Sequence, residues 1–160
     1  MDMAQRPRTQ SSPRAVASYL IQLRPYLSEA SGARQAMIRS LTGLADDIRR
    51  GGPFVPERAH VIGRERIVTF FTVRDKIAQL TVPPACESCH LTLGRWLDRL
   101  IDCCEVVSIV GRTGDVTYLH QAQALLLEAR EYARGFNDEY GRIVQELRNS
   151  VDQVTYQSLD

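Results

Sequence analysis

Ile67-Val68-Thr69-Phe70-Phe71-Thr72-Val73 is the stretch on which the fold turns. Seven β-branched and aromatic residues in a row read as a strand on propensity alone. Their surroundings read otherwise. Charged residues flank the run on both sides, and the uninterrupted segment from about 56 to 80 is far longer than an ordinary strand. The run is therefore assigned to the middle of a helix, and the chain to the all-α class.

Upstream of this segment, Pro53 and Pro56 bracket a turn and Glu57 suits a first helical turn. Before the turn, Arg49-Arg50-Gly51-Gly52 is a helix stop. The helix it closes starts at Ser12-Pro13, a capping hydroxyl followed by proline at the first helical position. Between them Val16, Leu20, Leu23, Leu27, Ala30, Met37, Leu41, Leu44 and Ile48 form one apolar stripe. Pro25 and Gly32 predict a kink or a break in this first helix.

Downstream, Val82-Pro83-Pro84 ends helix two and opens helix three, whose seam reads Cys86, Leu93, Leu97, Leu100, Cys104 and Val107 with Trp96 beside it. Gly111 to Gly114 reads as a turn and Asp115 as the cap of helix four. There the stripe is Leu119, Ala122, Leu126, Ala129, Ala133, Phe136, Tyr140, Ile143 and Leu147. Gly135 and Gly141 mark either close helix approach or a local break. Short connections make neighbouring helices antiparallel, so the expected fold is an up-down-up-down four-helix bundle. Residues 1–11 are expected to be a flexible tail, 12–149 the single domain, and 150–160 a frayed end.

Length and composition agree with this. The chain has 160 residues, enough for one domain with a real core, and its 44% apolar and 24% charged content is that of a soluble globular protein. A formal net charge of +1 offers no general attraction to nucleic acid or anionic membrane. Lys76 is the single lysine, so positive charge is nearly all arginine. Arg6, Arg8 and Arg14 make the start basic, while Glu128, Glu131, Asp138 and Glu139 make helix four acidic, both as solvated faces. No segment approaches a membrane span and no apolar leader opens the chain, which predicts a cytoplasmic protein with reduced thiols.

One segment matches a chemical signature. Cys86-Glu87-Ser88-Cys89-His90 has the C-x-x-C-H spacing by which haem is attached covalently. A helical bundle carrying this motif resembles the cytochrome c-prime class, through Cys86, Cys89 and His90 alone; the resemblance implies a haem held by the two thiols and ligated by His90. In that family the motif lies in the last helix, whereas here it opens the third. A second reading is a dithiol pair. Cys86 falls in the first helical turn, where free backbone N–H groups and the helix dipole favour a thiolate, and Cys89 lies one turn on. A third is a metal site using Cys86, Cys89 and His90, with Glu87 as a further ligand. Cys103 and Cys104 cannot complete it, because at 1.5 Å per residue they lie more than ~20 Å along the helix. The Glu57/His60 and Glu87/His90 pairs have di-iron spacing, but antiparallel helices put them at opposite ends, and His120 falls on the outer face of helix four.

Against these stands packing. Cysteine is among the most buried residue types, and Cys86 and Cys104 occupy seam positions that leucine or alanine would hold in any bundle. The sequence reading is accordingly a non-catalytic bundle without cofactor or metal, acting through oligomerisation or protein interaction. Helix two is apolar around most of its circumference. That predicts a homodimer through Phe70, Phe71, Val73, Ile77 and Leu80. Arg74, near the apolar side of the same helix, is expected to snorkel or to pair across helices.

Overall fold

Residues 67–73 are helical. A computed structural model describes residues 11–157, and within them the chain forms four α-helices and no strand. These are α1 (Pro13–Arg49), α2 (Val55–Ala78), α3 (Glu87–Thr113) and α4 (Tyr118–Gln157), with a 3-10 turn at Pro84–Cys86 leading into α3. Most of the expected N-terminal tail, with Arg6 and Arg8, lies outside the described residues.

The helix ends follow from local chemistry. Ser12 Oγ accepts the Ala15 N–H at 3.1 Å and caps α1. Gly51 (φ +68°) reverses the chain after α1, and Gly114 (φ +71°) closes α3 by donating to the Val110 carbonyl. The turn expected at Gly111 is instead helix, since α3 continues to Thr113. Asp115 accepts from the Thr117 N–H and hydroxyl, shaping the turn just ahead of α4. Phe54, exposed between two prolines, holds a left-handed φ of +65° at the entry to α2.

α1 does not break. It runs unbroken for 37 residues with Pro25 inside it, because the proline lies on the exposed side and the flanking turns bury Leu23 and Ala30 in the core. α4 likewise passes the expected end at Asn149 and stays helical to Gln157, although core packing stops at Leu147.

Cross-helix pairs fix the topology. Arg58 of α2 meets Asp47 of α1, and Lys76 lies over the Tyr26 ring, so α1 and α2 are antiparallel. Arg74 pairs with Asp98 at 3.1 Å and His60 lies against Gly111, which gives α2 and α3 the same relation. Arg99 meets Glu128, and Cys103 lies against the Ala122 carbonyl, so α3 and α4 are antiparallel too. α1 and α3 run parallel, with Tyr19 at His90 and Met37 at Cys104. The order is up-down-up-down, as expected. α3 packs along both α2 and α4, whereas α1 packs on α2 and meets α4 only sparsely.

The core takes every position of the expected α3 seam: Cys86, Leu93, Leu97, Leu100, Cys104 and Val107 are all buried, with Trp96. Two glycines let α2 and α3 approach. A Cβ on Gly63 would lie 2.5 Å from Ser108 Oγ and 2.7 Å from the Cys104 carbonyl oxygen, and one on Gly111 would lie 2.7–2.9 Å from His60. Gly135 and Gly141 have no such role. The nearest atom to a Cβ on the first is a Thr92 methyl at 3.8 Å, and nothing lies within 4 Å of one on the second.

Helix two departs from its expected role. Phe70, Val73 and Ile77 are buried within the single chain and belong to its core. In the single chain they leave almost no surface to offer a second copy. Phe71 remains exposed and Leu80 half-buried, and the outward apolar residues of α2 are Val61, Val68 and Phe71. Apolar composition all round the helix made both faces look alike; the packing of α3 selects one.

Candidate functional site: the Cys86–His90 segment and an arginine-lined groove

The C-x-x-C-H residues sit where α3 begins. Pro83 is buried, Cys86 N–H donates to the Pro83 carbonyl at 2.9 Å, and Ala85 N–H donates to Ser11 Oγ at 2.9 Å. This turn swings Cys86 inward, and one helical turn later Cys89 follows it into the core. Glu87 and Ser88 face solvent. His90 is half-buried, its Nδ1 hydrogen-bonded to the Tyr19 hydroxyl at 2.9 Å, with the two ring centroids 5.9 Å apart and tilted. The tautomer of His90 sets which partner donates.

Burial dominates the electrostatics here. Cys86 occupies the cap of α3, where the helix dipole contributes only about 0.3–1 kcal/mol toward a thiolate. Desolvation of a buried ion outweighs that. It raises the Cys86 thiol, and it pushes Cys89 up to about 12, with Glu139 and Cys86 adding to the rise and Arg142 opposing it. Tyr19 is raised by burial and then by the two thiols, and burial lowers His90. At neutral pH the cluster is two thiols, a phenol and a neutral imidazole. The thiolate expected from helix position is not favoured.

Of the expected ligands the fold brings Cys86, Cys89 and His90 to one end of α3, with Tyr19, and leaves Glu87 outside. Among the described residues, no three His, Cys, Asp or Glu side chains converge as a metal site requires. Cys103 and Cys104 pack further along. Cys103 Sγ approaches the Ala122 carbonyl at 3.6 Å and Cys104 Sγ the Met37 sulfur at 3.5 Å, and both thiols are pushed up to about 12, chiefly by burial. His60 and His120 are exposed, and the Arg74–Asp98 contact is the interhelical ion pair expected for Arg74.

A second feature carries no sequence motif. Where α1 and α4 part, a groove of about 360 Å³ opens over α3. Leu93, Trp96 and Phe136 contribute apolar surface, and Arg34, Arg130 and Arg134 contribute three guanidinium groups from α1 and α4. Arg134 pairs with Glu131 at 3.1 Å. Arg34 and Arg130 have no ion-pair or hydrogen-bond partner among the described residues, and no Asp or Glu lines the groove. Trp96 Nε1 and Arg34 Nε are both buried without a partner. Each such orphaned donor costs about 1–3 kcal/mol, so two beside one groove call for an explanation.

Comparison with known protein families, with curated protein sequences and with solved structures finds no match to this chain.

Proposed function

We propose that this chain is a non-catalytic helical-bundle protein of the cytoplasm that acts through its surfaces, by self-association or by contact with another protein. The placement of its cysteines carries this reading. All four are free, wholly buried thiols whose ionisation burial suppresses. A nucleophilic or metal-ligating sulfur works as a thiolate; burial of all four supports reading them as small core hydrophobes. Outside, Val61, Val68 and Phe71 are apolar residues on one side of α2 that the chain does not cover, with Arg64 between the first two. The homodimer is therefore proposed on that face, with Phe70, Val73 and Ile77 given up to the core and Leu80 packed against it.

The test is an intact-mass measurement, a metal assay and an absorbance spectrum of protein purified under native conditions, together with thiol alkylation kinetics at neutral pH. The expected result is the bare polypeptide mass, no Soret band, no stoichiometric metal, and slow alkylation of Cys86 and Cys89. Fast alkylation of folded Cys86 would replace this reading with thiol chemistry. Stoichiometric metal that disappears in His90→Gln would replace it with a metal centre. A Soret band surviving denaturation would establish covalent haem at Cys86 and Cys89.

A further inference from the structure

The groove between α1 and α4 joins three properties that neither the thiol cluster nor the α2 face has. It is concave, at the small end of the roughly 300–1,000 Å³ typical of small-molecule sites. Its charge is of one sign. Three arginines line it with no carboxylate among the lining residues, although the whole chain carries a formal charge of only +1. And two residues that line it carry unused hydrogen-bond donors, since Trp96 is 6% exposed with its Nε1 unpartnered and Arg34 Nε is likewise buried without a partner. Guanidinium and indole N–H groups only donate, so what satisfies them must accept. The apolar surface of Leu93 and Phe136 asks for a hydrocarbon part in the same ligand.

We propose that this groove binds a small organic oxyanion, a carboxylate or phosphate group carried on an apolar body. The headgroup lies between the guanidinium groups of Arg34 and Arg130, which no internal acid neutralises. The body covers Leu93, Phe136 and the face of Trp96. Arg134, already engaged by Glu131, contributes field rather than a contact.

Trp96 is the only tryptophan, so its fluorescence reports on this groove alone. The probes are octanoate, octyl phosphate, octanol and inorganic phosphate, titrated at fixed ionic strength with the full chain. Saturable change with octanoate, octyl phosphate or both is expected, and which of them binds more tightly identifies the headgroup. Octanol and inorganic phosphate should bind at least about tenfold more weakly, because each lacks one of the two features. Arg34→Gln and Arg130→Gln should each weaken binding by about tenfold or more, the scale of one charge-assisted contact. Arg64→Gln, exposed on α2, should leave it unchanged. Trp96→Phe, followed by calorimetry with circular dichroism as the fold control, should also weaken it. The proposal is overturned by octanol binding as well as octanoate, by inorganic phosphate binding as well as octyl phosphate, by arginine variants that bind normally, or by no saturable signal with either charged probe.

Discussion

The Tyr19 hydroxyl and the His90 ring meet at 2.9 Å across the parallel pair α1 and α3. The contact lies over two buried thiols, and every titratable group in the cluster is shifted toward its neutral form. Tyr19 is almost wholly buried, so its hydroxyl needs a partner and His90 supplies it. A residue of the one chemical motif in this chain is thus occupied in joining two helices.

Tyr19→Phe should therefore destabilise the protein by about 1–2 kcal/mol, since it leaves the half-buried His90 Nδ1 without its partner. The same site predicts an acid dependence. Burial lowers the folded His90 pKa, so as pH falls through about 6.5 the unfolded chain binds a proton that the folded chain refuses. Unfolding free energy should drop from pH 7.5 to 5.5 in the wild type and drop less in His90→Gln. Urea titrations at the two pH values measure both; equal slopes would show that His90 does not resist protonation.

The thiols predict the opposite limb. Cys86, Cys89, Cys103 and Cys104 are all raised in the folded state, three of them to about 12, and Tyr19 is raised with them. Above about pH 9 the unfolded chain releases protons that the folded chain keeps, and stability falls by up to about 1.4 kcal/mol per pH unit for each group that does so. Unfolding midpoints should decline steeply between pH 9 and 11. The double variant Cys103→Ala and Cys104→Ala should start lower, through lost packing, and decline less steeply.

Helix content was legible because periodicity and punctuation outvoted local propensity at 67–73, and the seam of α3 was legible residue by residue. What could not be read was direction around a helix that is apolar on all sides. Phe70 and Phe71 are adjacent and chemically alike, yet α3 buries the first and leaves the second at the surface. The close approaches were missed for a related reason. Gly63 is inconspicuous within α2, and its meaning appears only when Cys104 and Ser108 are seen against it. Cys86 was read two ways, and the balance between dipole and desolvation depends on a burial that spacing does not fix. The groove is the extreme case: Arg34, Trp96 and Arg130 each belong to a different helix, and only the mutual register of three helices makes them neighbours.

Glycine-to-alanine substitutions separate packing from helix propensity. Gly32 and Gly94 lie inside helices with nothing within 4 Å of an added Cβ, so alanine at either should stabilise by roughly 0.5–1 kcal/mol. At Gly63 and Gly111 the same gain is opposed by contacts with the Cys104 carbonyl and the His60 backbone that a flexible side chain cannot relieve. Separation of α2 from α3 should then cost about 1–3 kcal/mol. Thermal unfolding of the four variants should give two shifts up and two down. Stabilisation at Gly63 or Gly111 would mean the helices are held less closely than this.

The α2 surface separates folding from assembly in the same way. Phe70 is 0% exposed and Val68 62% exposed, two residues apart on one helix. Phe70→Ala should act on folding, costing about 3–5 kcal/mol through an unfilled core volume. Val68→Asp should act on assembly. It places a charge on the face that carries Val61, Val68 and Phe71, and Asp in a helix interior carries only a modest propensity penalty, well under 1 kcal/mol. A two-fold dimer would bring this face against its own copy. Three side chains alone fall short of the ~800 Å² per partner of a standard interface, so the pairing should be weak, in the micromolar range or above. Sedimentation equilibrium from a few to about 100 micromolar, bracketing that range, should reveal dimer in the wild type and monomer in Val68→Asp, with similar melting temperatures for the two monomeric states. Monomer throughout for the wild type would leave α2 an ordinary solvated face.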